Sequence, residues 1–348
     1  MHVPDGFLDA STSIATGAVA AGAVGLALQR SEREVREAGA PLTGLTAAFV
    51  FAAQMVNFPV GAGTSGHLIG GALALVLVGP WTALLCLTAV LLVQGLLFAD
   101  GGLTALGTNV LLMGVVPIVV GSLVLRLVLP LLPRRPRSVV PAAGLAAAVS
   151  VPAAALAFTG LYAVGGTVDV PLGTLAAAMV GWHVLIGAGE ALITAAVVGA
   201  VVATRADLVH AARHLRPDLV LVDADGRRSA APSPGTAPGV LAPARPARRP
   251  LAVGLAVTAV VAGLVSLAAS ASPDGLESVA GALGFAGGAQ ESAAASSPLS
   301  GYGVSGVPSP LLSGALAGLL GVAVTVAVGA GTALASRVLG RARRSTRA

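Results

Sequence analysis

Residues 81–98, WTALLCLTAVLLVQGLLF, form an apolar run of 18 positions that contains no charged side chain. A helix that crosses a bilayer needs about 20 mostly apolar residues, so this run predicts a membrane span. The whole chain agrees, because 55% of its 348 residues are hydrophobic and 10% are charged, whereas soluble domains carry about 25% charged residues. The sequence therefore predicts an all-α, polytopic membrane helix bundle.

Further apolar runs divide the chain into two membrane modules. Seven predicted spans precede residue 205, at residues 11–29, 42–58, 67–79, 81–98, 105–132, 139–161 and 174–203. Two more, at residues 251–270 and 311–335, predict a C-terminal hairpin. The third span is short, and we expect an irregular stretch, NFPVGAGTSGH, at its start. Such backbone survives at membrane depth only where protein buries it or where it lines a cavity.

The composition between the modules changes sharply. Residues 205–250 are rich in Pro, Ala and Arg, a composition typical of flexible linkers. We therefore predict three parts: a membrane domain over 1–204, a flexible cytoplasmic linker over 205–250, and a membrane hairpin module over 251–348.

The distribution of arginine predicts the orientation in the membrane. All 20 basic residues are arginine, and nearly all fall in segments on one predicted side, at residues 30–41, 133–138 and beyond 203. The loops on the other predicted side, at residues 1–10, 59–66, 99–104 and 162–173, contain none. Cytoplasmic loops carry the positive excess, so we expect a multi-pass protein of the cell membrane with its N-terminus outside and its C-terminus in the cytoplasm.

The residue types that are missing limit the function. The chain has no lysine, so it carries neither a phosphate-binding P-loop nor a Schiff-base lysine, and any ATP hydrolysis must come from another subunit. Its one cysteine, Cys86, allows no internal disulfide and no thiolate metal cluster. No aromatic residues interleave with the arginines, so we predict no nucleic-acid partner.

The first ten residues, MHVPDGFLDA, suggest metal binding. With histidine in second place, the amine of Met1, the backbone nitrogen of His2 and the imidazole of His2 can form two small chelate rings in one plane. One more imidazole completes a square-planar site of four nitrogens, which suits Ni(II) or Cu(II) and accommodates Co(II). This chemistry needs a chain that starts at Met1, and we expect no cleavable leader. An ordinary exposed chain start is the alternative interpretation.

The fourth nitrogen has a candidate in His67, within GTSGHLIGG on the same predicted side as Met1. A histidine that only packs in the protein interior is the alternative. Asn57, Thr64 and Ser65 are close in sequence, and they can orient the imidazoles or satisfy loop backbone. Ionisable residues inside a membrane are often functional. The predicted seventh span contains two, His183 and Glu190, which belong to a structural hydrogen-bond network or to a metal relay.

Three stretches, MHVPDGFLD, QMVNFPVGAGTSGHLIGG and GWHVLIGAGEALIT, resemble the signature sequences of the CbiM/NikM family. That family comprises the substrate-binding components of cobalt and nickel energy-coupling-factor transporters, and the resemblance covers roughly residues 1–205. It implies that Met1, His2 and His67 hold the metal, and that a membrane scaffold subunit and cytoplasmic ATPase subunits are partners.

The C-terminal hairpin carries a further resemblance. Its SPDGLE stretch, residues 272–277, is similar to the small CbiN/NikN-type partner, fused here to the first module. In the same stretch, Asp274 is placed to cap a helix that contains Glu277.

Two other classes of function would require different residues in the sequence. An intramembrane metal hydrolase would need a general base beside a water-activating metal, and the chain has no H-E-x-x-H motif. A stand-alone secondary carrier would need paired carboxylates at mid-membrane, where only Glu190 qualifies. We therefore predict a transporter subunit rather than an enzyme, with Co²⁺ or Ni²⁺ as its cargo and no catalytic cofactor. The secondary metal carrier is the alternative.

Overall fold

The computed structural model describes residues 1–215, 220–222, 228–230 and 248–345. These residues form a bundle of α-helices. The helices are α1 (Ala10–Arg30), α2 (Glu32–Ala38), α3 (Ala40–Gln54), α4 (Gly71–Val78), α5 (Pro80–Val93), α6 (Leu106–Asn109), α7 (Val116–Val128), α8 (Val139–Gly165), α9 (Leu172–Arg205), α10 (Arg248–Gly263), α11 (Gly275–Leu283) and α12 (Pro310–Ser345).

Irregular segments extend or interrupt this bundle. The helix of α5 continues in π-helical turns over Gln94–Phe98, and a second π-helical segment, Val110–Val115, joins α6 to α7. Strands β1 (Phe58–Gly61) and β2 (Thr64–Gly66) form an antiparallel hairpin before α4. A second hairpin pairs β3 (Val220–Val222) with β4 (Arg228–Ala230).

Seven helical segments among the described residues are long and apolar enough to cross a membrane. They are Ala10–Arg30, Pro80–Phe98, Leu106–Leu131, Pro136–Gly165, Leu172–Leu208, Arg248–Ala268 and Pro310–Gly340. The predicted multi-pass, all-α bundle is therefore confirmed, with five long segments in the first module and two in the second.

The remaining two predicted spans, 42–58 and 67–79, are shorter in the structure. They correspond to α3, with 15 residues, and α4, with 8 residues. At a rise of about 1.5 Å per residue, neither reaches across the roughly 30 Å of a bilayer core. Between them the chain leaves the helical path and forms the β1–β2 hairpin, at the place where the sequence predicts irregular backbone.

The second module packs directly against helices of the first. Helix α12 lies along α3 and also contacts α5 and α1, and α10 packs on α3 and α12. Glycines permit this close approach: a Cβ on Gly44 of α3 would lie 2.6 Å from the Val326 carbonyl oxygen of α12. The two modules therefore share one core.

The loops sort to two ends of the bundle, as the charge pattern predicts. Residues 1–9 contact the loops around 100–104, 165–167 and 288–290, and we call this end the N-terminal face. At the other end, the arginine face, Arg213 Nη1 lies 3.0 Å from Glu37 Oε2, and Arg337 Nη2 donates to the carbonyl oxygen of Val35 at 3.1 Å. Each end thus brings together segments that are distant in sequence, including segments of the second module.

The predicted flexible linker begins with ordered structure. Residues Ala206–Leu208 and His210–Leu215 form short 3-10 helices, and Val209 and Ala212 are fully buried. Ion pairs hold this part, because Arg205 pairs with Asp207 and Arg213 reaches Glu37. Residues 206–215 thus pack against the first module, and the flexible linker over 205–250 stays a prediction. Residues 216–219, 223–227 and 231–247 of the predicted linker lie outside the described residues.

Candidate metal site

Two hydrogen bonds between Val3 and Asn109 hold the N-terminal segment inside the bundle. Val3 donates its backbone N–H to Asn109 Oδ1 at 2.8 Å, and Asn109 Nδ2 donates to the Val3 carbonyl oxygen at 3.0 Å. Two residues later, the Asp5 carboxylate accepts from the backbone N–H groups of Leu103 and Thr104. These bonds place Met1 inside the protein, where it is 4% exposed.

The chain turns at Gly6, and the second module covers this turn. Gly6 has φ +87°, which side-chain-bearing residues rarely adopt, and a Cβ there would lie 2.3 Å from the Gly288 carbonyl oxygen. Gln290 donates its N–H to the Asp5 carbonyl oxygen at 2.8 Å. The glycine therefore allows both the turn and the close contact above it.

The Met1 amino nitrogen lies 2.5 Å from His67 Nε2. Nδ1 of His67 is 3.0 Å from the Leu68 carbonyl oxygen, which can only accept, so Nδ1 carries the ring proton. The lone pair of Nε2 therefore faces the amine. Two nitrogens bound at neighbouring corners of a square, with metal–nitrogen bonds near 2.0–2.1 Å, are roughly 2.9 Å apart. The two donors are thus close to the spacing that a shared metal ion requires.

The loop that carries His67 is fixed by Glu190 of α9. Glu190 Oε2 accepts from the Ile69 N–H at 2.6 Å, and Oε1 accepts from the Gly70 N–H at 3.1 Å. On the other side of the loop, Gln54 Nε2 donates to the Ile69 carbonyl oxygen at 2.8 Å. Glu190 therefore belongs to a structural hydrogen-bond network, one of the two roles that the sequence left open.

The imidazole of His2 stacks on that of His67, with ring centroids 5.1 Å apart and planes inclined by 25°. His2 Nε2 donates to Gln94 Oε1 at 3.1 Å, and Nδ1 lies 3.3 Å from Asp100 Oδ1. Burial lowers the pKa of His2 to about 4 even though Asp100 acts in the opposite direction. In the neutral ring the Nδ1 lone pair faces a carboxylate oxygen, an arrangement that a cation bound at Nδ1 would satisfy.

Tyr302 of the second module closes a ring of hydrogen bonds around His2. Its hydroxyl donates to Asp100 Oδ2 at 2.5 Å and accepts from Gln94 Nε2 at 3.1 Å. The Tyr302 ring stacks on Phe98 at a centroid distance of 4.9 Å. Asp100 and Gln94, the two partners of His2, are therefore held in place from the second module.

A carboxylate from the second module also reaches the donor nitrogens. Asp274 Oδ2 lies 2.8 Å from the Met1 amino nitrogen and 3.6 Å from His67 Nε2. Burial alone would raise the pKa of Asp274, but the positive Met1 terminus outweighs it, so the pKa lies well below its usual range. The site therefore contains a fixed negative charge.

Two cavities adjoin the donors. A cavity of about 490 Å³ is lined by His2, His67, Asp100, Asp274 and Tyr302, among others. A second, of about 10 Å³, has Met1, His67 and His183 in its wall. Nδ1 of His183 donates to the Met179 carbonyl oxygen at 2.7 Å, and its buried Nε2 has no hydrogen-bond partner among the described residues. His183 thus borders the site without contacting a donor atom by hydrogen bond.

The residues predicted to orient the imidazoles or to satisfy loop backbone make no hydrogen bond to either imidazole among the described residues. Ser65 donates its hydroxyl to the Ser272 carbonyl oxygen at 2.7 Å. Asn57 lines the larger cavity, and its carbonyl oxygen accepts from the Ser270 N–H. Thr64 is buried in β2. The two rings instead contact Met1, Leu68, Gln94, Asp100 and Asp274.

Sequence reasoning did not identify most of the residues that support the site. Asp274 was expected only as a helix cap, and Gln94, Asn109 and Tyr302 were not singled out. The available signal was polarity, because Gln94 and Asn109 are amides within predicted spans. Among the described residues no three His, Cys, Asp or Glu side chains are arranged to hold a metal ion.

Comparison with known proteins identifies the class. A solved structure of a transition metal transporter superposes with a TM-score of 0.52 at 32% identity, covering 58% of this chain and 92% of that chain. The family model for the cobalt uptake substrate-specific transmembrane region matches residues 2–208, and the model for the PDGLE domain matches residues 248–337. The fold is that of a membrane metal transporter. The chain belongs to the CbiM family of cobalt and nickel transport proteins and carries a fused PDGLE domain.

Individual relatives agree with this assignment. A fused nickel transport protein, NikMN, of Rhodobacter capsulatus is 40% identical over 116 residues, which are 33% of this chain and 33% of that protein. A cobalt transport protein, CbiM, of Sorangium cellulosum is 40% identical over 118 residues, or 33% of this chain and 52% of that protein. The matched stretches thus span about one third and about one half of these two relatives. Transport of cobalt or nickel, rather than enzymatic turnover, is the function the family supports.

Proposed function

We propose that this chain is the substrate-binding membrane component of an energy-coupling-factor ABC transporter that takes up divalent cobalt or nickel. The observation that carries the proposal is the 2.5 Å approach of the Met1 amine to His67 Nε2, at a position buried inside a metal-transporter fold. Family membership supports the metal as cargo.

In this proposal four nitrogens hold the ion. They are the Met1 amine, the backbone nitrogen of His2, the His2 imidazole and His67 Nε2. Nδ1 is the His2 ring nitrogen that closes a small chelate with its own backbone, and its neighbour Asp100 adds negative charge. Nitrogen donors in a plane suit nickel better than cobalt but accommodate both, so both metals remain candidates.

The proposed orientation puts the N-terminal face outside the cell and the arginine face in the cytoplasm. Metal is then captured from outside. Because the chain has no lysine for a P-loop, ATP hydrolysis belongs to cytoplasmic ATPase subunits, coupled through a membrane scaffold subunit. A conformational change that withdraws the N-terminal segment from His67 would separate the donors and release the ion.

Two measurements on the purified full chain test this function. The first is nickel and cobalt affinity by calorimetry, where we expect one tightly bound ion per chain. The second is uptake into proteoliposomes, with the chain alone and with scaffold and ATPase subunits, in the presence and absence of ATP. Uptake that needs the partners and ATP supports the proposal, whereas uptake by the chain alone without ATP would identify a secondary carrier.

A further inference from the structure

The stretch that leads into α11 and forms its first turn, residues 272–277 of the second module, lies against the proposed metal site. The Ser65 N–H donates to the Pro273 carbonyl oxygen at 2.8 Å, and the Ser65 hydroxyl donates to the Ser272 carbonyl oxygen at 2.7 Å. These bonds connect it to strand β2, two residues before His67. The position of this stretch relative to His67 is therefore set by two hydrogen bonds that Ser65 donates to its main-chain carbonyl oxygens.

Gly275 allows the stretch to approach α9 closely. A Cβ at this position would lie 2.9 Å from Ile186 Cδ1 and 3.0 Å from His183 Cε1, both closer than side chains normally pack. The next residue, Leu276, is 1% exposed. The glycine and leucine of the motif thus serve to seat it on the first module.

The two oxygens of Asp274 perform different tasks. Oδ1 accepts from the backbone N–H groups of Leu276 and Glu277 at 2.8 and 2.9 Å, and Glu277 Oε2 accepts in return from the Asp274 N–H. This reciprocal capping box fixes the rotamer of Asp274. Oδ2 takes no part in it and faces the Met1 amine at 2.8 Å and His67 Nε2 at 3.6 Å.

We propose that Asp274 is a positioning residue of the metal site, by which the PDGLE module holds the Met1 amine against His67 before the metal binds. This inference rests on the proposed function. A free chain end has many conformations, and holding it in the binding geometry beforehand removes much of the entropic cost of binding. The carboxylate also places a negative charge beside the position of a divalent cation, where the low dielectric of the interior strengthens the attraction.

The capping geometry offers a selective test. In Asp274→Asn the side-chain oxygen can still cap α11, because asparagine is as good an N-cap as aspartate, but the charge that faces Met1 is lost. In Asp274→Glu the charge is kept and the cap is impaired. Asp9→Asn is the matched control, since Asp9 caps α1 through Oδ1, which accepts from Thr12 N–H at 2.7 Å, and it contacts none of the proposed donors.

The measurement is nickel and cobalt affinity of the full chain in detergent, determined by calorimetry for the wild type and these three variants. We expect Asp274→Asn to weaken binding about 10–100-fold, as losses of supporting contacts at metal sites do, Asp274→Glu to recover part of it, and Asp9→Asn to match the wild type. Equal affinity of Asp274→Asn and the wild type, or better binding by Asn than by Glu at this position, would show that Asp274 is only a helix cap.

Two other outcomes also contradict the inference. Tighter binding by Asp274→Asn would mean that the carboxylate competes with the metal for the amine. A wild-type chain that binds neither metal would overturn the proposed function itself, and this result is distinct from a failure of Asp274 alone.

Discussion

Glu190 and Ile69 are joined by a hydrogen bond of 2.6 Å from the Ile69 N–H to Glu190 Oε2, with a second bond from Gly70 to Oε1. The carboxylate thereby caps the start of α4 from α9 and fixes the backbone two residues after His67. Since α9 is the longest helix of the first module, it anchors an otherwise irregular loop. The placement of His67 depends on this contact.

Glu190→Ala is expected to weaken metal binding about 10–100-fold, because the loop loses the support that aims His67 at Met1. Calorimetry with nickel measures the effect. Glu34→Ala is the matched control: Glu34 accepts from the N–H groups of Thr82 and Trp81 at the start of α5, at the arginine face. It should destabilise the fold comparably and leave the affinity unchanged. If both variants lose affinity equally, the effect is one of general stability.

His67→Ala is expected to abolish high-affinity metal binding, by more than about 100-fold, since a donor is lost rather than a supporting contact. His183→Ala should weaken binding by less than about 10-fold, because the one hydrogen bond of His183 among the described residues stays within its own helix, to Met179. Thermal unfolding of both variants without metal controls for folding. Equal affinities of the two variants would place the site elsewhere.

Tyr302→Phe tests the hydrogen-bond ring around His2. The variant keeps the stack on Phe98 and loses only the hydroxyl that bonds to Asp100. A hydrogen bond to a charged group contributes about 1.5–3 kcal/mol. We expect only part of this free energy to affect metal binding through His2, so the affinity should fall about 3–10-fold. Tyr162→Phe, which loses a bond to the Val168 carbonyl oxygen at the same face, should have no effect. A Tyr302→Phe variant that binds like the wild type would limit the residue to packing.

The orientation is tested with single cysteines in whole cells. Cys86 is buried, so the background labelling should be low. A membrane-impermeant maleimide should label Asp169→Cys, exposed on the N-terminal face, and should label Arg33→Cys, exposed on the arginine face, only after the membrane is opened. The reverse pattern, or equal labelling in intact cells, would contradict the N-terminus-out orientation.

Local patterns made the fold predictable. The apolar runs and the arginine clusters are properties of short stretches, and they gave the helices and the two ends of the bundle. Helices α3 and α4 came out shorter than predicted, because an apolar run does not reveal where the backbone turns away to pair β1 with β2. The packing of residues 206–215 was not predictable for a similar reason, since the ion pairs of Arg205 and Arg213 depend on tertiary contacts.

The candidate site was predictable in part. The chelating potential of Met1 and His2 follows from their neighbouring positions, and His67 from its predicted side of the membrane. The role of Asp274 could not be read in the same way, because one of its oxygens does what a local motif predicts while the other contacts residues more than 200 positions away. Contacts between modules of this kind emerge only from the packed structure.

Adding one residue before Met1 shows whether the Met1 amine is a metal ligand. The amine would become an amide, a far poorer donor, and His2 would move to third place, which changes the chelate rings. Protein extended at the N-terminus and protein extended at the C-terminus are purified side by side, intact mass confirms each chain start, and metal content is measured. We predict stoichiometric nickel or cobalt in the C-terminally extended protein and none in the N-terminally extended one. Equal stoichiometric metal in both would show that Met1 is not a ligand.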